Sequence, residues 1–219
     1  MTNADEVARF LTENPDFFEE HSELLSKISV TNPYGGSAIA LSARQVLTLR
    51  EKSRTLEGKL AELIQYGEEN DAISAKMHRL SVALLGARDL SAALSALYYN
   101  LREDFAVPNA ALRVWRGYDA AHRAMTVPEF RSVSEELAQY ATDLAQPYCG
   151  PSASAEVAGW FGEAATHVRS VALMPLTDHG CFGLLALGSD DVLRFYPEMG
   201  TVYLQRLGEL TGAALARFL

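Results

Sequence analysis

Residues 42–85, SARQVLTLREKSRTLEGKLAELIQYGEENDAISAKMHRLSVALL, decide the architecture of this chain. Val46, Leu49, Leu56, Leu60 and Leu63 fall three or four residues apart, with Ser53 at the one gap. Tyr66, Asn70, Ile73, Met77, Leu80 and Leu84 continue the alternation. An apolar stripe this narrow suits a partner helix better than a broad globular core. The stretch contains no proline. At 1.5 Å per residue it would form a rod roughly 65 Å long. The pattern predicts one long, coiled-coil-like dimerising helix over 41–86.

The rod has local irregularities. Leu60, Leu63 and Tyr66 are spaced three and three, a break in heptad spacing that reads as a stammer. Gly58 and Gly67 each cost about 1 kcal/mol against Ala in a helix interior, and Gly67 lies beside the break. Asn70 on the stripe sets register at some cost in stability. The downstream half has two readings: either the coiled coil continues through Leu84, or it ends at Tyr66 and the rest packs on its own domain. Arg44, Arg50, Lys52, Arg54 and Lys59 make the start of the rod basic, but Glu51, Glu57 and Glu62 interleave. That mixture reads as a solvated face rather than a phosphate-binding one.

Working outward, residues 1–40 read as short helices and a linker. Asn3 with Glu6 forms a capping-box pattern ahead of Val7, Phe10 and Leu11. Asn14-Pro15 ends that helix and starts the next. Phe17, Phe18, Leu24, Leu25 and Ile28 need cover. Thr31–Ser37, with Pro33, Gly35 and Gly36, is a turn or linker, and Ser42 with Gln45 is a second capping pattern at the rod.

Residues 87–219 read as a mixed domain. Gly86 ends the rod, and Asp89 caps a helix over 90–104. Ala110–Trp115 alternates as a strand, with Leu112 and Val114 on one face and Arg113 and Trp115 on the other. Gly117–Val127 reads as a turn with a weak strand. Ser132 with Glu135 caps a helix to about Ala145, and Pro147–Gly162 is irregular. Val168–Leu176 and Cys181–Gly188 are strands joined by the turn Asp178-His179-Gly180. Pro197 opens a last helix with Tyr203, Leu207, Leu210 and Ala214 at helical spacing. The order predicts an α+β fold, an antiparallel sheet with flanking helices. Leu207 and Leu210 are expected to complete a four-helix dimer interface with Val46, Leu49, Leu56, Leu60, Leu63 and Asn70.

Composition narrows the function. A hydrophobic content of 48% is too high for a disordered chain. No apolar run approaches the length of a membrane span, and residues 1–6 lack a secretory signal's basic-then-apolar pattern. Two cysteines are too few for a disulfide scaffold, so reduced thiols and a cytoplasmic location are expected. A net charge of −9 makes direct nucleic-acid binding unexpected.

Two segments resemble GAF domains. SVALMPLTDHGCFGLLAL at 170–187, followed by Phe195 and the last helix, resembles their closing strands and terminal helix. LSAALSALYYNLREDFAVPNAALRVW at 90–115 resembles their opening helix and first strand. The whole chain resembles the bacterial DUF484 family. Matching pieces are VARFLTENPDFFEEHSELL, YGGSAIALSARQVLTLR, AELIQYGEENDAISAKMHRL, the Cys149-Gly150 pair and ALGSDDVLRFYPEMGTVYLQRLGE. The resemblance implies an N-terminal helical segment, a dimerising helix and a GAF-like domain. It implies no established reaction. GAF domains bind small molecules or only dimerise. Neither the Asn-Lys-x-Asp signature of cyclic-nucleotide binders nor a bilin-attachment motif is found here. Family members are often encoded near a tyrosine recombinase, which implies a DNA-linked protein partner.

Catalytic signatures are missing: no GxSxG, no GxxxxGK[ST], no strand-borne GxGxxG and no HExxH. Cys149, His167, His179 and Cys181 lack diagnostic metal spacing. No cofactor or metal is expected. In the chain order of a GAF domain, Cys149-Gly150-Pro151 falls where the pocket is usually lined. Tyr148, Cys149, Gly150 and Trp160 are the candidate ligand contacts, with Arg113 and Arg169 supplying charge for an anion. The competing reading makes Cys149 a small buried hydrophobe at a bend, and the aromatics core fillers. The expectation is a non-enzymatic homodimeric regulatory or scaffold protein working through an unknown partner. The alternatives are a small-molecule sensor and an enzyme of unrecognised chemistry.

Overall fold

The computed structural model describes residues 3–30, 39–116 and 127–219. The chain divides into two compact units, Met1–Glu69 and Asn70–Leu219. The division falls inside one helix, α4 (Leu41–Gly86), which contributes to both. Its start at Leu41 makes Ser42 an internal residue rather than the cap expected for it.

In the first unit, α1 (Ala4–Glu13) opens as its capping pattern requires, with the Asn3 N–H donating to Glu6 Oε2 at 3.2 Å. Pro15 separates it from α2 (Phe17–Glu20) and α3 (Ser22–Lys27). Phe10, Phe17 and Phe18 stack edge to face at 5.8 and 5.4 Å, so the apolar residues partly cover one another. Two short strands, β1 (Ser29–Val30) and β2 (Ile39–Ala40), pair antiparallel ahead of α4. The turn read at Thr31–Ser37 lies outside the described residues.

The second unit is built on a four-stranded antiparallel sheet: β3 (Asn109–Val114), β4 (Tyr148–Gly150), β5 (Ser170–Asp178) and β6 (Gly180–Ser189), in spatial order β3-β6-β5-β4. The β5–β6 turn closes where Asp178-His179-Gly180 demands it, with Gly180 at φ 134. One extra residue in β6, Phe182, bulges opposite Leu176/Thr177. The bulge turns both Phe182 and the missing side chain of Gly183 toward the first core. Each sheet face is covered. On the first face lie the end of α4, α5 (Leu90–Glu103) and α8 (Val202–Ala216), around Leu112, Val114, Met174, Leu185 and Leu187. On the second lie α6 (Glu135–Asp143) and α7 (Ala155–Gly159), around Leu173, Leu184 and Ala186.

This is the expected α+β arrangement, with local corrections. The segment read as irregular, 147–162, holds β4 and α7. A three-residue strand and a five-residue helix are too short to show a period. Helix α6 is capped by Ser134, whose Oγ accepts from Leu137 N, not by Ser132. Helix α8 begins at Val202, five residues after Pro197. The weak strand read at Gly117–Val127 lies outside the described residues but for Val127.

The downstream half of α4 packs on its own domain. Leu80 and Leu84 are fully buried, and Met77 packs against the same core. Arg79 pins the helix to the end of α5 through Asp104, with Nη2–Oδ1 at 2.7 Å and Nε–Oδ2 at 3.3 Å. That bond, more than nearby charge, holds the Asp104 carboxyl below its ordinary range. Tyr203 on α8 donates to the Asn70 carbonyl at 3.2 Å. Leu207 is buried in the domain core and Leu210 is half-buried against it. Leu207 is therefore a core residue, which corrects its place in the expected dimer interface.

The turn between α5 and β3 holds Ala106 in the left-handed region at φ 53. Arg194 clamps it there, donating to the carbonyls of Phe105 at 2.6 Å and Ala106 at 2.9 Å. An L side chain in that region costs roughly 1–2 kcal/mol, while glycine's extra unfolded freedom costs roughly 0.4–1 kcal/mol. Ala106→Gly is therefore expected to stabilise the domain by up to about 1 kcal/mol, raising Tm by about 2–4 °C. A lowered Tm in a thermal scan would show that the turn is unstrained.

Candidate functional site: a cleft on the second sheet face

Two serines build the site. Ser134 caps α6, and Ser154 caps α7 by accepting from Val157 N at 3.3 Å. Glu156, in the first turn of α7, reaches back to Ser134. Its Oε1 accepts from the Ser134 N–H at 3.0 Å and its Oε2 from the Ser134 hydroxyl at 2.6 Å. These are charge-assisted bonds at a helix N-terminus, where a carboxylate is favoured. Leu137 and Val157 are buried beneath them. The two helices are thus tied at their starts. Between them and β4 opens a cleft of about 390 Å³, lined by Leu137, Tyr140, Tyr148, Leu173, Glu136 and Glu156 together with small residues.

Tyr148 is set by its neighbour two residues on. Its hydroxyl donates to the Ser152 carbonyl at 3.0 Å. The ring folds back across Gly150. A Cβ built there would overlap the Tyr148 hydroxyl and lie 2.6 Å from Cζ. Gly150 is thus required for space, not for an unusual φ. Tyr140 stands nearby, its hydroxyl pKa pushed up by burial and then by the neighbouring Tyr148.

Strand alternation separates residues that the sequence reading grouped together. Tyr148 joins the second-face core, while Cys149 points into the first. The pocket expected to be bordered by Tyr148, Cys149 and Trp160 is corrected accordingly, since Cys149 cannot line it. Cys149 is buried, and burial pushes its thiol pKa up. Burial also raises that of Cys181, against opposing hydrogen bonds from Gly183 and Thr142. Both shifts disfavour the reactive thiolate. No group of three or more His, Cys, Asp or Glu among the described residues is placed to hold a metal ion.

The expected cationic contacts lie outside the cleft. Arg113 does sit on the second face, as its strand position requires. Its guanidinium lies 5.0 Å over the Trp160 ring, and Nη1 donates to the Leu112 carbonyl at 2.7 Å. Burial lowers its pKa, opposed by Tyr98 and Glu129. Tyr98 donates to Glu129 Oε1 at 2.9 Å, and burial, reinforced by Glu129, pushes its hydroxyl far above the ordinary range. Arg169 is exposed, its backbone N–H donating to the Ser189 carbonyl at 2.7 Å. Neither arginine, nor Trp160, lines the cleft.

Sequence reasoning missed Ser134, Tyr140 and Glu156. The available signal was the repeated pattern Ser-x-Glu at 134–136 and 154–156, two helix starts of the same kind.

The model of the family described as "Protein of unknown function, DUF484" matches residues 1–219. The chain belongs to the DUF484 family. It is 25% identical over 226 residues to uncharacterized protein YigA of Shigella flexneri, covering all of this chain and 94% of that one. It is 24% identical over the same length to YigA of Escherichia coli strain K12, with the same coverage. Among solved structures it is similar to a GAF domain from Pseudomonas syringae pv. tomato, at 17% identity and a TM-score of 0.47, over 70% of this chain and 92% of that one.

The Gly150–Tyr148 contact gives a direct test. Gly150→Ala must expel the ring, at a cost of roughly 1–3 kcal/mol as for other overpacking changes. In a Tyr148→Ala background the same substitution should cost far less, because the clash is gone. Additive losses in denaturant melts would show that the two residues do not interact.

Proposed function

We propose that this DUF484 protein is a non-enzymatic regulatory or scaffold protein that works as a parallel homodimer and acts through a partner protein. The observation that carries the reading is the upstream half of α4. Leu49, Leu56 and Leu63 recur every seven residues and are 64%, 66% and 65% exposed. Val46 and Leu60 share the intervening line with Ser53, and are 47% and 58% exposed. Leucine at one heptad position and a mixed apolar line at the other is the pattern of a two-stranded coiled coil. Contiguous exposed leucines of this kind mark an interaction surface.

Magnitudes set how much must engage. Each buried leucine contributes roughly 1.5–3 kcal/mol, and association costs about 4–15 kcal/mol. Two copies of a four-leucine stripe exceed that cost only when most of its length is paired. Downstream of Leu63 the heptad lines pass through Gly67, Ser74 and Ser81 on one side and Asn70, Met77 and Leu84 on the other. Met77 and Leu84 serve the domain core. The dimer seam is therefore assigned to residues 46–63. Val7 and Phe10 on α1, 46% and 50% exposed, offer a separate apolar face to a protein partner.

A second reading, a small-molecule sensor, is favoured by the cleft between α6 and α7. A volume of about 390 Å³ with apolar walls and a few fixed polar groups fits a small ligand. Native mass spectrometry of protein isolated from its own host tests it: a bound small molecule supports the sensor, a bare chain the scaffold.

For the dimer, light scattering of the wild type at tens of micromolar should give twice the chain mass. Leu56→Asp with Leu63→Asp should give a monomer that keeps its thermal transition, because neither residue belongs to the second unit's core. Leu80→Asp should instead unfold that unit, since it places a charge at a fully buried site. A wild-type monomer would contradict the reading.

A further inference from the structure

The cleft on the second sheet face is selective in charge. Its walls are the phenols of Tyr140 and Tyr148 over Leu137 and Leu173, and its ionisable carboxyls are Glu136 and Glu156. Among the described residues, no lysine, arginine or histidine lines it. We propose that it binds a small organic cation, a protonated amine on an apolar body, with the ammonium between the two glutamates and the tyrosine rings. This rests on the sensor reading and names the ligand class that reading leaves open.

Three observations support it. First, Glu156 is preorganised. Ser134 holds both of its oxygens in place, yet each carboxylate oxygen retains acceptor capacity for a further donor. An arriving ammonium meets a fixed acceptor rather than a mobile chain. Second, the tyrosines offer their rings. The Tyr148 proton is committed to the Ser152 carbonyl, and the ring is seated over Gly150. The Tyr140 hydroxyl pKa is pushed up by burial and then by the Tyr148 phenol beside it. Neutral aromatic walls attract a cation through their π-faces and cover its apolar body. Third, the arginine on the same sheet face is committed elsewhere. Arg113 lies within the field of Glu156, but its guanidinium is turned onto Trp160 and the Leu112 carbonyl. Among the described lining residues, an anion in the cleft would meet two carboxylates and no counter-charge.

The test uses two probes of matched shape and opposite charge, phenethylammonium and 3-phenylpropanoate, titrated into the full chain at pH 7 by calorimetry. Phenethylammonium should bind at least about tenfold tighter, the size expected of a charge and cation–π preference. The chain's net charge of −9 favours any cation, so local variants must carry the argument. Glu136→Gln, at an exposed position, should weaken phenethylammonium about three- to tenfold without lowering Tm below the range of other surface variants, and Glu156→Gln should weaken it by a similar factor while also lowering Tm, because it removes the charge from the Ser134 tether. Tyr148→Ala should weaken it as well. Equal or tighter binding of 3-phenylpropanoate overturns the proposal. If Tyr148→Ala abolishes that binding, the sensor reading survives with an anionic ligand. Unchanged phenethylammonium affinity in both glutamine variants also overturns the proposal. So does the failure of phenethylammonium to bind, while the host-isolated protein decides the sensor reading independently.

Discussion

The burial of Met77, Leu80 and Leu84 against the first sheet face is the contact on which the rest depends. It fixes the end of α4 on the domain, with Arg79–Asp104 and the Tyr203–Asn70 bond on either side. An apolar stripe committed to a core is unavailable to a second copy. The three-and-three spacing at Leu60, Leu63 and Tyr66 separates the two stretches. It moves the stripe to the other side of the line through Leu63, Asn70 and Met77. Upstream residues keep strict heptad spacing and remain exposed. Downstream residues turn to the domain, leaving Gly67, Ser74 and Ser81 on the abandoned line.

The two faces of the sheet carry different work. The first is a continuous apolar core in which even Cys149 is filler. The second is thinner, and its two small helices are joined by polar bonds at their N-termini rather than by a wide hydrophobic contact. A cleft persists there because Gly150 admits the Tyr148 ring and Glu156 is held in place by Ser134. Polar tethers fix geometry while leaving space, whereas close packing would fill it.

Long-period features were legible in the sequence. Helix α4, the strands on either side of the His179 turn and the face assignment of Leu112, Val114, Arg113 and Trp115 all follow from spacing, because each repeats a pattern several times, while the Asp89 cap follows from residue type at a helix start. Short elements were not legible. Strand β4 has three residues and α7 has five, so neither shows a period. Their absence from the reading placed Cys149 in a loop, where its direction was free, instead of on a strand, where alternation turns it away from Tyr148. The arginines lie outside the cleft lining for a similar reason. A strand position gives a face, but not the partner on that face, and Arg113 finds Trp160. The repeated Ser-x-Glu starts were visible, yet their mutual contact spans 22 residues and needed the fold to bring them together.

The proposed dimer pairs residues 46–63 of two copies in parallel. Site-specific disulfide trapping tests it most directly. In a Cys149→Ser, Cys181→Ser background, Leu56→Cys places its thiol at a position that faces its own copy across a parallel two-fold. Thr55→Cys places it on the outer face one residue away. Mild oxidation should cross-link the Leu56→Cys chain into a covalent dimer and leave the Thr55→Cys chain uncoupled, since a disulfide needs Cα atoms within about 7 Å. Equal cross-linking at both positions, or none at Leu56→Cys, would contradict the proposed seam.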